Sequence, residues 1–561
     1  MVGAKFLSLQ NKGKSMFRFI RSWKRVAPMI GLLGLAFAWP AAALEDGLAL
    51  TPPMGWNSWN RFHCNVSEQL IKQTADAMVS SGMRDGGYEY VVIDDCWQVS
   101  RDELGTIVAD PARFPNGMQA LADYVHGLGL KFGLYTDAGT ETCQHRPGSY
   151  NFEEQDMATY AAWGVDYTKV DWCNTTGLDP RMAYAKFRDG IIAAGRPIVL
   201  SMSVWGREGP WVWGPLTGHL WRTTGDISDN WARMIGLADS NANHAGAALS
   251  GSWNDPDMLE VGNGHMTADE YRVHMSLWAI MAAPLIAGND LRSMSAETIS
   301  ILTNPDVIAA DQDPLGIQGI KARDDGAGLQ VWYKPTQGSG TRAVALINRS
   351  DGPAPIAVDW SEIGLSGGDA SVRDLWAQVD LGSFTDGFSA VVPSHGVVMI
   401  NVAGSDVPMP DGTGYLSDLT WSYQANGFGI LRRDRSNGNN TITLNGATYA
   451  KGLGAHAPST IEFRLNGACS TLESDVGVDD EVGSRGSVIF QVWADGMKLY
   501  DSGLMLGRGP SQQLAVDVSG RNELRLSVLA GPDDMNYDHS DWADARITCG
   551  SAANARVLKR N

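Results

Sequence analysis

Short apolar runs alternate with helix-length segments between residues 48 and 315. Residues 91–93 and 131–135 are examples of the runs, which are typical of buried parallel strands. Residues 67–81 and 118–127 carry apolar side chains at helical spacing instead. Eight such repeats occur, with strand ends near Trp56, Asp94, Tyr135, Asp171, Val204, Asp226, Asp257 and Ile286. We therefore predict an α/β fold, a (β/α)8 TIM barrel over residues 48–315, with a doubly wound sheet as the alternative.

The pattern changes after the predicted barrel. Residues 316–403 show short alternating runs without helical spacing, which predicts an antiparallel β-sandwich. Residues 404–414 include Pro408 and Pro410 and have the composition of a linker. Residues 415–550 are again rich in strand-like runs separated by Gly and Asn turns. We therefore predict a third, C-terminal β-domain.

The first 43 residues have the composition of a secretory signal peptide. Residues 1–25 hold seven lysines and arginines and no acidic residue, residues 26–39 are apolar, and Ala41 and Ala43 give an A-x-A site. An uncleaved anchor is the alternative, and Met16 is a second candidate start. No later apolar stretch approaches the 20 or so residues of a membrane span. We expect a secreted or periplasmic protein with no membrane association after cleavage.

Net charge and cysteine content limit the binding partners, disulfides and metal sites that we expect. The formal net charge of −19 becomes more negative by seven when residues 1–43 are removed, which argues against nucleic acid as a partner. Six cysteines in an exported chain suggest disulfides, and Cys469 and Cys549 are candidates for a pair within the C-terminal domain. No C-x-x-C spacing or histidine cluster indicates zinc, and we expect no metal and no cofactor.

Two carboxylates at predicted strand ends point to glycosidase chemistry. Asp171 and Asp226 each close a strand-like run, and barrel glycosidases place their catalytic carboxylates at such ends. Lys169 lies two residues before Asp171 and can share its side of the strand, where a cation lowers the pKa of a nucleophilic carboxylate. An ordinary ion pair is the alternative. Asp226, four residues after Arg222, would be the acid/base, with a pKa raised by burial or by Asp171.

Asp94 and Asp95 end the second predicted strand just before Cys96 and Trp97. We interpret them as acceptors for sugar hydroxyls, with Trp56 and Trp97 as a flat apolar wall. A helix N-cap or a solvated loop is the alternative for such a pair. The G-x-S-x-G match at residues 364–368 lies in the predicted sandwich, without the strand–turn–helix context of a nucleophile elbow. We do not assign it a function.

Several long motifs resemble glycoside hydrolase family 27, whose main members are α-galactosidases. The motifs are residues 51–59 (TPPMGWNSW), 94–97 (DDCW), 169–171 (KVD), 253–258 (WNDPDM), 276–292 (SLWAIMAAPLIAGNDLR) and 310–316 (ADQDPLG). They occur in family order and extend the resemblance over about residues 48–402. The resemblance implies a retaining hydrolase that removes terminal α-galactosyl units from oligo- or polysaccharides, with carboxylates about 5–5.5 Å apart.

The resemblance also implies roles for individual residues. Asp171 is similar to the family nucleophile and Asp226 to its acid/base. Asp94, Asp95 and Lys169 would hold the 4- and 6-hydroxyls of galactose. The other implied pocket positions are Trp56, Tyr135, Val204, Arg222 and Asp257. The family's disulfides would join Cys64 to Cys96 and Cys143 to Cys173.

One position departs from the family pattern. α-Galactosidases of the family usually have Cys-Glu-Trp at the fifth strand end, where the Glu contacts the sugar near its 2-hydroxyl. This chain has Ser203-Val204-Trp205. Because valine offers no acceptor, N-acetyl-α-galactosaminides and β-L-arabinopyranosides, which other family members accept, stay open as substrates.

The C-terminal domain resembles the NPCBM carbohydrate-binding module, a galactose-binding-like β-sandwich. The similar segments are residues 416–419 (LSDL), 434–438 (DRSNG), 451–457 (KGLGAHA) and 478–483 (VDDEVG). Such a module would keep the enzyme near a polysaccharide by raising its effective concentration. A purely structural domain is the alternative. Asp479, Asp480 and Glu481 are candidates for calcium or for a solvated loop. A secreted carbohydrate-binding protein with an inactive barrel is the competing functional class, although it leaves the motifs around Asp171 and Asp226 unexplained.

Overall fold

The computed structural model describes residues 46–550, and the predicted signal peptide lies outside them. Within these residues three parts follow one another along the chain, beginning with a parallel barrel and continuing with two regions of antiparallel sheet. No helix in this described range is long and apolar enough to cross a lipid bilayer.

The first part is a closed barrel of eight parallel strands surrounded by helices. The strands of this part, of which β3 and β4 lie outside the barrel sheet, are β1 (Met54–Asn57), β2 (Tyr90–Ile93), β3 (Gln98–Arg101), β4 (Ile107–Ala109), β5 (Lys131–Asp137), β6 (Tyr167–Asp171), β7 (Val199–Ser203), β8 (Leu220–Arg222), β9 (Trp253–Asp255) and β10 (Leu285–Ala287). Its helices are α1 (Trp59–Phe62), α2 (Glu68–Ser80), α3 (Gly117–Gly127), α4 (Glu153–Trp163), α5 (Pro180–Ala194), α6 (Pro210–Trp213), α7 (Trp231–Ala242), α8 (Ala268–Ile280), α9 (Ala296–Leu302) and α10 (Pro305–Asp311). Strands β3 and β4 form a separate hairpin.

The barrel closes through the segment that follows β9. The sheet order is β10-β1-β2-β5-β6-β7-β8-β9, with every pair parallel. Leu259 then donates its N–H to the Ile286 carbonyl at 2.8 Å and accepts from the Gly288 N–H at 2.9 Å. This link joins the two ends of the sheet. The predicted TIM barrel is therefore confirmed and the doubly wound alternative is wrong.

Local signals explain where the outer helices begin and end. Asp179 caps the start of helix α5, where its side chain accepts the Arg181 N–H, and Pro180 is the first residue of the helix. Gly195, which follows the last helical residue, has a left-handed backbone conformation with φ +70°. Helix α8 begins with a capping box between Thr267 and Glu270. Because parallel strands run the same way, all residues that follow them meet at one end of the barrel.

The second part is an antiparallel sandwich, as predicted. Its strands are β11 (Ile320–Asp324), β12 (Leu329–Pro335), β13 (Thr341–Asn348), β14 (Ala354–Asp359), β15 (Asp369–Asp374), β16 (Val379–Thr385), β17 (Gly387–Val392) and β18 (Gly396–Ala403). Six of them form a sheet in the order β11-β12-β13-β18-β15-β16, and β14 pairs with β17. Side chains such as Val344, Val358 and Ile400 form a core of their own between these sheets.

The third part is the C-terminal β-domain. Its strands are β19 (Gly412–Tyr415), β20 (Tyr423–Ala425), β21 (Arg432–Arg433), β22 (Ile442–Leu444), β23 (Ala447–Tyr449), β24 (Gly452–His456), β25 (Ser459–Arg464), β26 (Cys469–Val478), β27 (Ser487–Ala494), β28 (Met497–Leu506), β29 (Gln512–Asp517), β30 (Glu523–Ala530) and β31 (His539–Cys549). The two main sheets have the orders β21-β24-β31-β26-β29, with β19 added to β31, and β20-β25-β30-β27-β28.

The segment predicted as a linker, residues 404–414, is attached at several points. Asp406 is buried and pairs with the Arg342 guanidinium at 2.9 Å, and it also accepts the Gly340 N–H at 2.6 Å. Strand β19 begins at Gly412, inside the same segment. The C-terminal domain therefore follows the sandwich without a freely extended connection.

Candidate active site

A cavity of about 460 Å³ opens at the carboxyl ends of the barrel strands. Segments after several of the parallel strands contribute to its wall, as the barrel topology requires. Of the predicted site residues it is lined by Asp94, Asp95, Tyr135, Lys169, Asp171, Arg222, Asp226 and Asp257. Trp59, Asn60, Cys143, Trp205, Asp229, Glu260 and Asn263 also line it. The structure therefore brings both predicted catalytic carboxylates into one cavity.

Asp171 is the last residue of β6 and is almost fully buried. Its carboxylate accepts the Tyr135 hydroxyl at 3.0 Å and the Trp172 N–H at 3.1 Å. Burial raises its pKa to about 6, although Lys169 lowers it. Lys169 therefore acts in the expected direction, but the expected net lowering of the pKa is wrong, because desolvation of the carboxylate outweighs the attraction.

Lys169 is paired with a different carboxylate from the one expected. Its ammonium donates to Asp94 Oδ2 at 2.8 Å, and the Asn57 amide donates to the same oxygen at 2.8 Å. Burial opposes the charged amine, but Asp94 and Asp171 together raise the pKa of Lys169 above its usual range. Lys169 is therefore a fixed cation within the carboxylate cluster, held by an ion pair at one side of the cavity.

Asp95 is fixed by main-chain donors. Its two oxygens accept the N–H groups of Cys96 at 2.6 Å and Gln144 at 3.0 Å. Burial raises the pKa of Asp95 above the usual carboxyl value, and the charge of Asp94 adds to this effect. The two adjacent acids thus share one cavity because they lie at the end of a strand, where the alternation of side chains is relaxed.

Asp226 lies on the loop after β8, because that strand already ends at Arg222. Arg222 contacts Asp226 Oδ1 at 3.2 Å and Asp257 Oδ2 at 2.9 Å. Asp257 also accepts the Ile227 N–H at 2.7 Å, which ties the loop to the next strand end. The Asp226 side chain is 73% exposed, so the burial expected for an acid/base is absent at this position.

Two tryptophans and one valine lie elsewhere than predicted. Trp56 and Trp97 are fully buried, and their indoles donate to the carbonyls of Asn289 and Tyr135 at 2.8 Å. Neither lines the cavity, and neither does Val204, which is also fully buried. Trp59 and Trp205 line the cavity instead. Trp56 lies within β1 and is packed in the barrel, whereas Trp59 follows the strand end.

Glu260 is a site residue that the sequence interpretation missed. Its oxygens accept the amides of Asn60 at 2.6 Å and Asn263 at 2.5 Å. Burial raises its pKa to about 7. The available signal was its position three residues after Asp257, in the same segment after β9. Two side-chain amides therefore hold the Glu260 carboxylate in the cavity wall.

Among the described residues, one group has metal-ligand geometry: Asp137, Cys143 and Cys173. The two cysteines form a disulfide, so they offer no thiolate. Asp137 accepts the N–H groups of Gly139 at 2.7 Å and Cys173 at 2.9 Å. Burial, with the nearby charge of Asp171, raises the pKa of Asp137 to about 8. This group therefore stabilises the loops beside Asp171 and is unsuited to a metal ion.

The expected disulfides are present. Cys64 pairs with Cys96, and Cys143 pairs with Cys173, as the resemblance implied. The third disulfide joins Cys469 to Cys549, at facing ends of β26 and β31. The carboxylates of residues 479–481 were candidates for calcium. Asp480 accepts the Gly446 N–H at 2.7 Å, and Glu481 accepts the Asn440 side-chain amide at 2.8 Å. These carboxylates thus have protein donors.

Comparisons with known proteins show to which family the chain belongs. The family model described as Alpha galactosidase A matches residues 51–313. A probable alpha-galactosidase of Dictyostelium discoideum is 48% identical over 383 residues, which cover 68% of this chain and 98% of that relative. The chain belongs to the α-galactosidase family. The similarity to α-galactosidases continues beyond the barrel. The family model described as Alpha galactosidase C-terminal beta sandwich domain matches residues 326–402. The NPCBM/NEW2 domain matches residues 412–548.

A solved structure and a second relative are also similar to this chain. The crystal structure of alpha-galactosidase I from Mortierella vinacea superposes with a TM-score of 0.63 at 37% identity and covers 65% of this chain and 99% of that chain. An alpha-N-acetylgalactosaminidase of Gallus gallus is 39% identical over 381 residues, covering 64% of this chain and 94% of that relative. The identity to this relative is lower than to the Dictyostelium alpha-galactosidase.

Proposed function

We propose that this protein is a retaining hydrolase that removes terminal α-D-galactosyl units from oligo- or polysaccharides. The observation that carries the proposal is the cavity that holds Asp171 and Asp226 together at the carboxyl ends of the barrel strands. Relatives named alpha-galactosidase at about half identity support the choice of sugar.

The two carboxylates have different environments that suit two different roles. Asp171 is buried and held by Tyr135 and the Trp172 N–H, so it is positioned as the nucleophile. Asp226 is exposed at the mouth and next to Arg222, where the departing group and then water can reach it. A retaining enzyme needs both a fixed nucleophile and an accessible acid/base.

The reaction proceeds in two displacements. An Asp171 oxygen forms a bond to the anomeric carbon while the glycosidic C–O bond breaks, and Asp226 gives its proton to the leaving oxygen. A water molecule then attacks the same carbon, Asp226 takes a proton from that water, and the bond to Asp171 breaks. The anomeric configuration is retained because each displacement inverts it once.

Asp94, Asp95 and Lys169 supply the sugar recognition in this proposal. Asp94 and Lys169 form one charged edge of the cavity, with oxygens and an ammonium that can bind neighbouring hydroxyls. Trp59 gives this cavity an aromatic face. Hydrolysis of N-acetyl-α-galactosaminides or β-L-arabinopyranosides is the second candidate function. The argument for it from Val204 weakens because that side chain is absent from the cavity wall.

We also propose that the enzyme is exported. Three disulfides are present in the described chain, and disulfides persist in oxidising compartments. The basic and apolar composition of residues 1–43 supports export as well. Secretion and periplasmic location both fit these features. Detection of the mature chain in the periplasmic or culture fraction, with an N-terminus near residue 44, tests this proposal.

Initial rates on three p-nitrophenyl glycosides test the proposed activity. The substrates are α-galactoside, N-acetyl-α-galactosaminide and β-L-arabinopyranoside, each assayed with wild type and with Asp171→Ala. We expect turnover of the α-galactoside to dominate and to be lost in the variant. Preference for another sugar would favour the second candidate function. Turnover of none of the three substrates would favour a carbohydrate-binding protein with an inactive barrel.

A further inference from the structure

Helix α7 begins directly after the loop that carries Asp226. Its N-cap is Asn230, whose side chain accepts the Arg233 N–H at 3.0 Å, and Trp231 is its first residue. The Arg233 guanidinium also donates to the main-chain carbonyl of Asp226 at 2.7 Å. The position of Asp226 therefore depends on where the start of this helix lies.

The sandwich domain contacts helix α7 at its first residue. The Trp231 indole stacks on the His395 imidazole, with ring centres 4.3 Å apart and an angle of 15° between the two planes. His395 lies in the turn between β17 and β18 of the sandwich. Because stacking fixes the relative position of two rings, this contact ties the start of α7 to the sandwich.

Helix α8 and the sandwich turn together fix His395. The His395 Nδ1 donates to Glu270 Oε1 at 2.8 Å, and the other Glu270 oxygen accepts the Thr267 N–H at 2.8 Å within the capping box of α8. His395 has a left-handed backbone conformation with φ +47°. The neighbouring Ser394 hydroxyl donates to the Ser350 carbonyl at 2.7 Å, which holds the turn against the sandwich. The imidazole is therefore a fixed support for the Trp231 ring.

Helix α7 has a second attachment to the sandwich near its other end. The Arg349 guanidinium donates to both carboxylate oxygens of Asp239, at 2.8 Å and 3.0 Å. Trp231 and Asp239 are eight residues apart in the chain, which is about 12 Å along a helix axis. Two contacts at this separation determine both the position and the direction of the helix.

The Asp226 loop is also held from the barrel side. The Tyr271 hydroxyl of α8 donates to the Asp229 carboxylate, 3.0 Å and 2.9 Å from its two oxygens, and Asp229 also accepts the His265 N–H at 2.6 Å. The Asp226 side chain itself is 73% exposed, so close packing does not fix it. The orientation of Asp226 therefore depends on how the main chain around it is held.

We propose that His395 of the sandwich is a positioning residue for the acid/base Asp226, and that it acts through the Trp231 ring and the start of helix α7. This inference rests on the proposed function. It gives the sandwich domain a part in proton transfer, although in the described chain the residues that line the catalytic cavity all belong to the barrel.

The test separates proton donation from general damage by comparing two leaving groups. The p-nitrophenolate ion is a weak base and departs without full protonation, whereas the sugar released from melibiose needs the proton of Asp226. For both substrates kcat/KM includes the first displacement, in which that proton is given. A misplaced Asp226 therefore lowers kcat/KM for melibiose divided by kcat/KM for p-nitrophenyl α-galactoside.

The variants are His395→Ala and Trp231→Ala, with Asp226→Ala as the reference for complete loss of the acid. We expect the ratio to fall about tenfold in the first two and about 10²-fold in the reference. Trp231→Phe, which keeps a ring against His395, should retain most of the wild-type ratio.

A further variant keeps the test decisive if His395→Ala does not fold. Asparagine tolerates the left-handed backbone at this position and can donate to Glu270, but it has no ring to support Trp231. His395→Asn should therefore fold and still show a lowered ratio.

The matched control is His244→Ala. His244 stacks on Trp211 with ring centres 3.5 Å apart, and it lies before β9, on the side of the barrel where the strands begin. This variant also loses a histidine–tryptophan stack, so it should lose stability. The control should keep the wild-type ratio, because the cavity lies where the strands end.

The outcomes separate this inference from the proposed function. An unchanged ratio in the folded His395 and Trp231→Ala variants, or an equal loss on both substrates, would overturn the inference. A fall of the same size in His244→Ala would also overturn it, because the effect would then be general. An unchanged ratio in Asp226→Ala, or a wild type that hydrolyses neither substrate, would instead overturn the proposed function and this inference with it.

Discussion

In the proposed mechanism, the residue that sets the working pH of the site is the nucleophile, Asp171. Its burial raises its pKa to about 6, although Lys169 and the Tyr135 hydroxyl both lower it. A nucleophilic carboxylate must be ionised to attack. The same burial that positions the proposed nucleophile would therefore also restrict the pH range in which the enzyme works.

The first prediction concerns the pH dependence of catalysis. Because a protonated Asp171 cannot attack the anomeric carbon, kcat/KM for p-nitrophenyl α-galactoside should fall about tenfold per pH unit below pH 6. Initial rates between pH 4 and pH 8, with stability checked at each pH, measure this. In Lys169→Met, which lacks a cation that lowers the pKa of Asp171, the acidic limb should move to higher pH. An acidic limb centred near pH 4 in the wild type contradicts the prediction.

The second prediction concerns stability. The pKa of Asp171 is about 6 in the folded protein against 3.8 when unperturbed, so the folded state binds more protons between these values. This carboxyl therefore lowers the free energy of unfolding as pH rises from about 4 to about 6, by about 3 kcal/mol, with no further change above. Asp171→Asn lacks this effect. Urea unfolding should show the variant gaining stability relative to wild type across that window; a difference that stays flat or falls argues against it.

The third prediction concerns the charged edge of the cavity. Asp94→Asn removes the anion that pairs with Lys169 at 2.8 Å and an acceptor for the sugar. We expect kcat/KM for the α-galactoside to fall about 10²-fold, as for loss of charge-assisted hydrogen bonds. Asp85→Asn, at an exposed ion pair with Arg84 before β2, is the control and should retain wild-type rates. A change of less than threefold in Asp94→Asn would exclude Asp94 from sugar binding.

At the scale of elements, the loops after β5 and β6 are joined into one support for Asp171. The Cys143–Cys173 disulfide links them, and Cys143 Sγ lies 3.4 Å from Asp171 Oδ2. Gly139 is required at their contact, since a Cβ there would lie 2.0 Å from the Cys173 carbonyl oxygen. The support thus combines a covalent link with a close main-chain approach.

The fourth prediction compares two disulfides. The double variant Cys143→Ser/Cys173→Ser should lose about 3–4 kcal/mol of stability, because that bridge closes a loop of 30 residues. The kcat of this variant should also fall, because removal of the disulfide removes the contact between Cys143 and Asp171. Cys469→Ser/Cys549→Ser, which opens the C-terminal domain, should lose stability and retain kcat at 25 °C. Unfolding curves and rates on both variants measure this, and equal loss of kcat in both would contradict it.

At the scale of the whole molecule, the C-terminal domain is fixed to the parts before it. The Tyr423 hydroxyl donates to the Gln318 carbonyl at 2.6 Å, and buried Leu216 and Leu249 of the barrel cluster with Ile489 and Leu529. Arg464 donates to carbonyls of the sandwich region as well. A module tethered only by a linker, which the composition of residues 404–414 suggested, would lack such contacts.

The fifth prediction tests this attachment through Arg464. Its guanidinium donates to Glu523 at 2.5 Å and to the carbonyls of Thr336 and Gly338 at 3.2 Å. Arg464→Ala leaves buried acidic groups without their partner and should cost about 3–5 kcal/mol in the free energy of unfolding. Arg435→Ala, an exposed arginine of the same domain, should cost less than about 0.5 kcal/mol. Similar unfolding curves for the two variants would contradict a structural role for Arg464.

The sequence by itself determined the order of domains, the closed barrel and the carboxylates of the cavity. Alternating strand and helix periods predict the barrel, and parallel strands bring their ends together, so Asp94 and Asp171 could be identified in advance, while the family resemblance implied Asp257. Tertiary structure alone decided which neighbour faces the cavity. Trp59 lines the cavity and Trp56 does not, and Trp205 lines it and Val204 does not. Which side chain faces the cavity depends on where each short strand ends and how the following loop turns. The burial of a side chain is also a property of the folded chain. The raised pKa of Asp171 and the exposure of Asp226 could therefore not be predicted from the sequence.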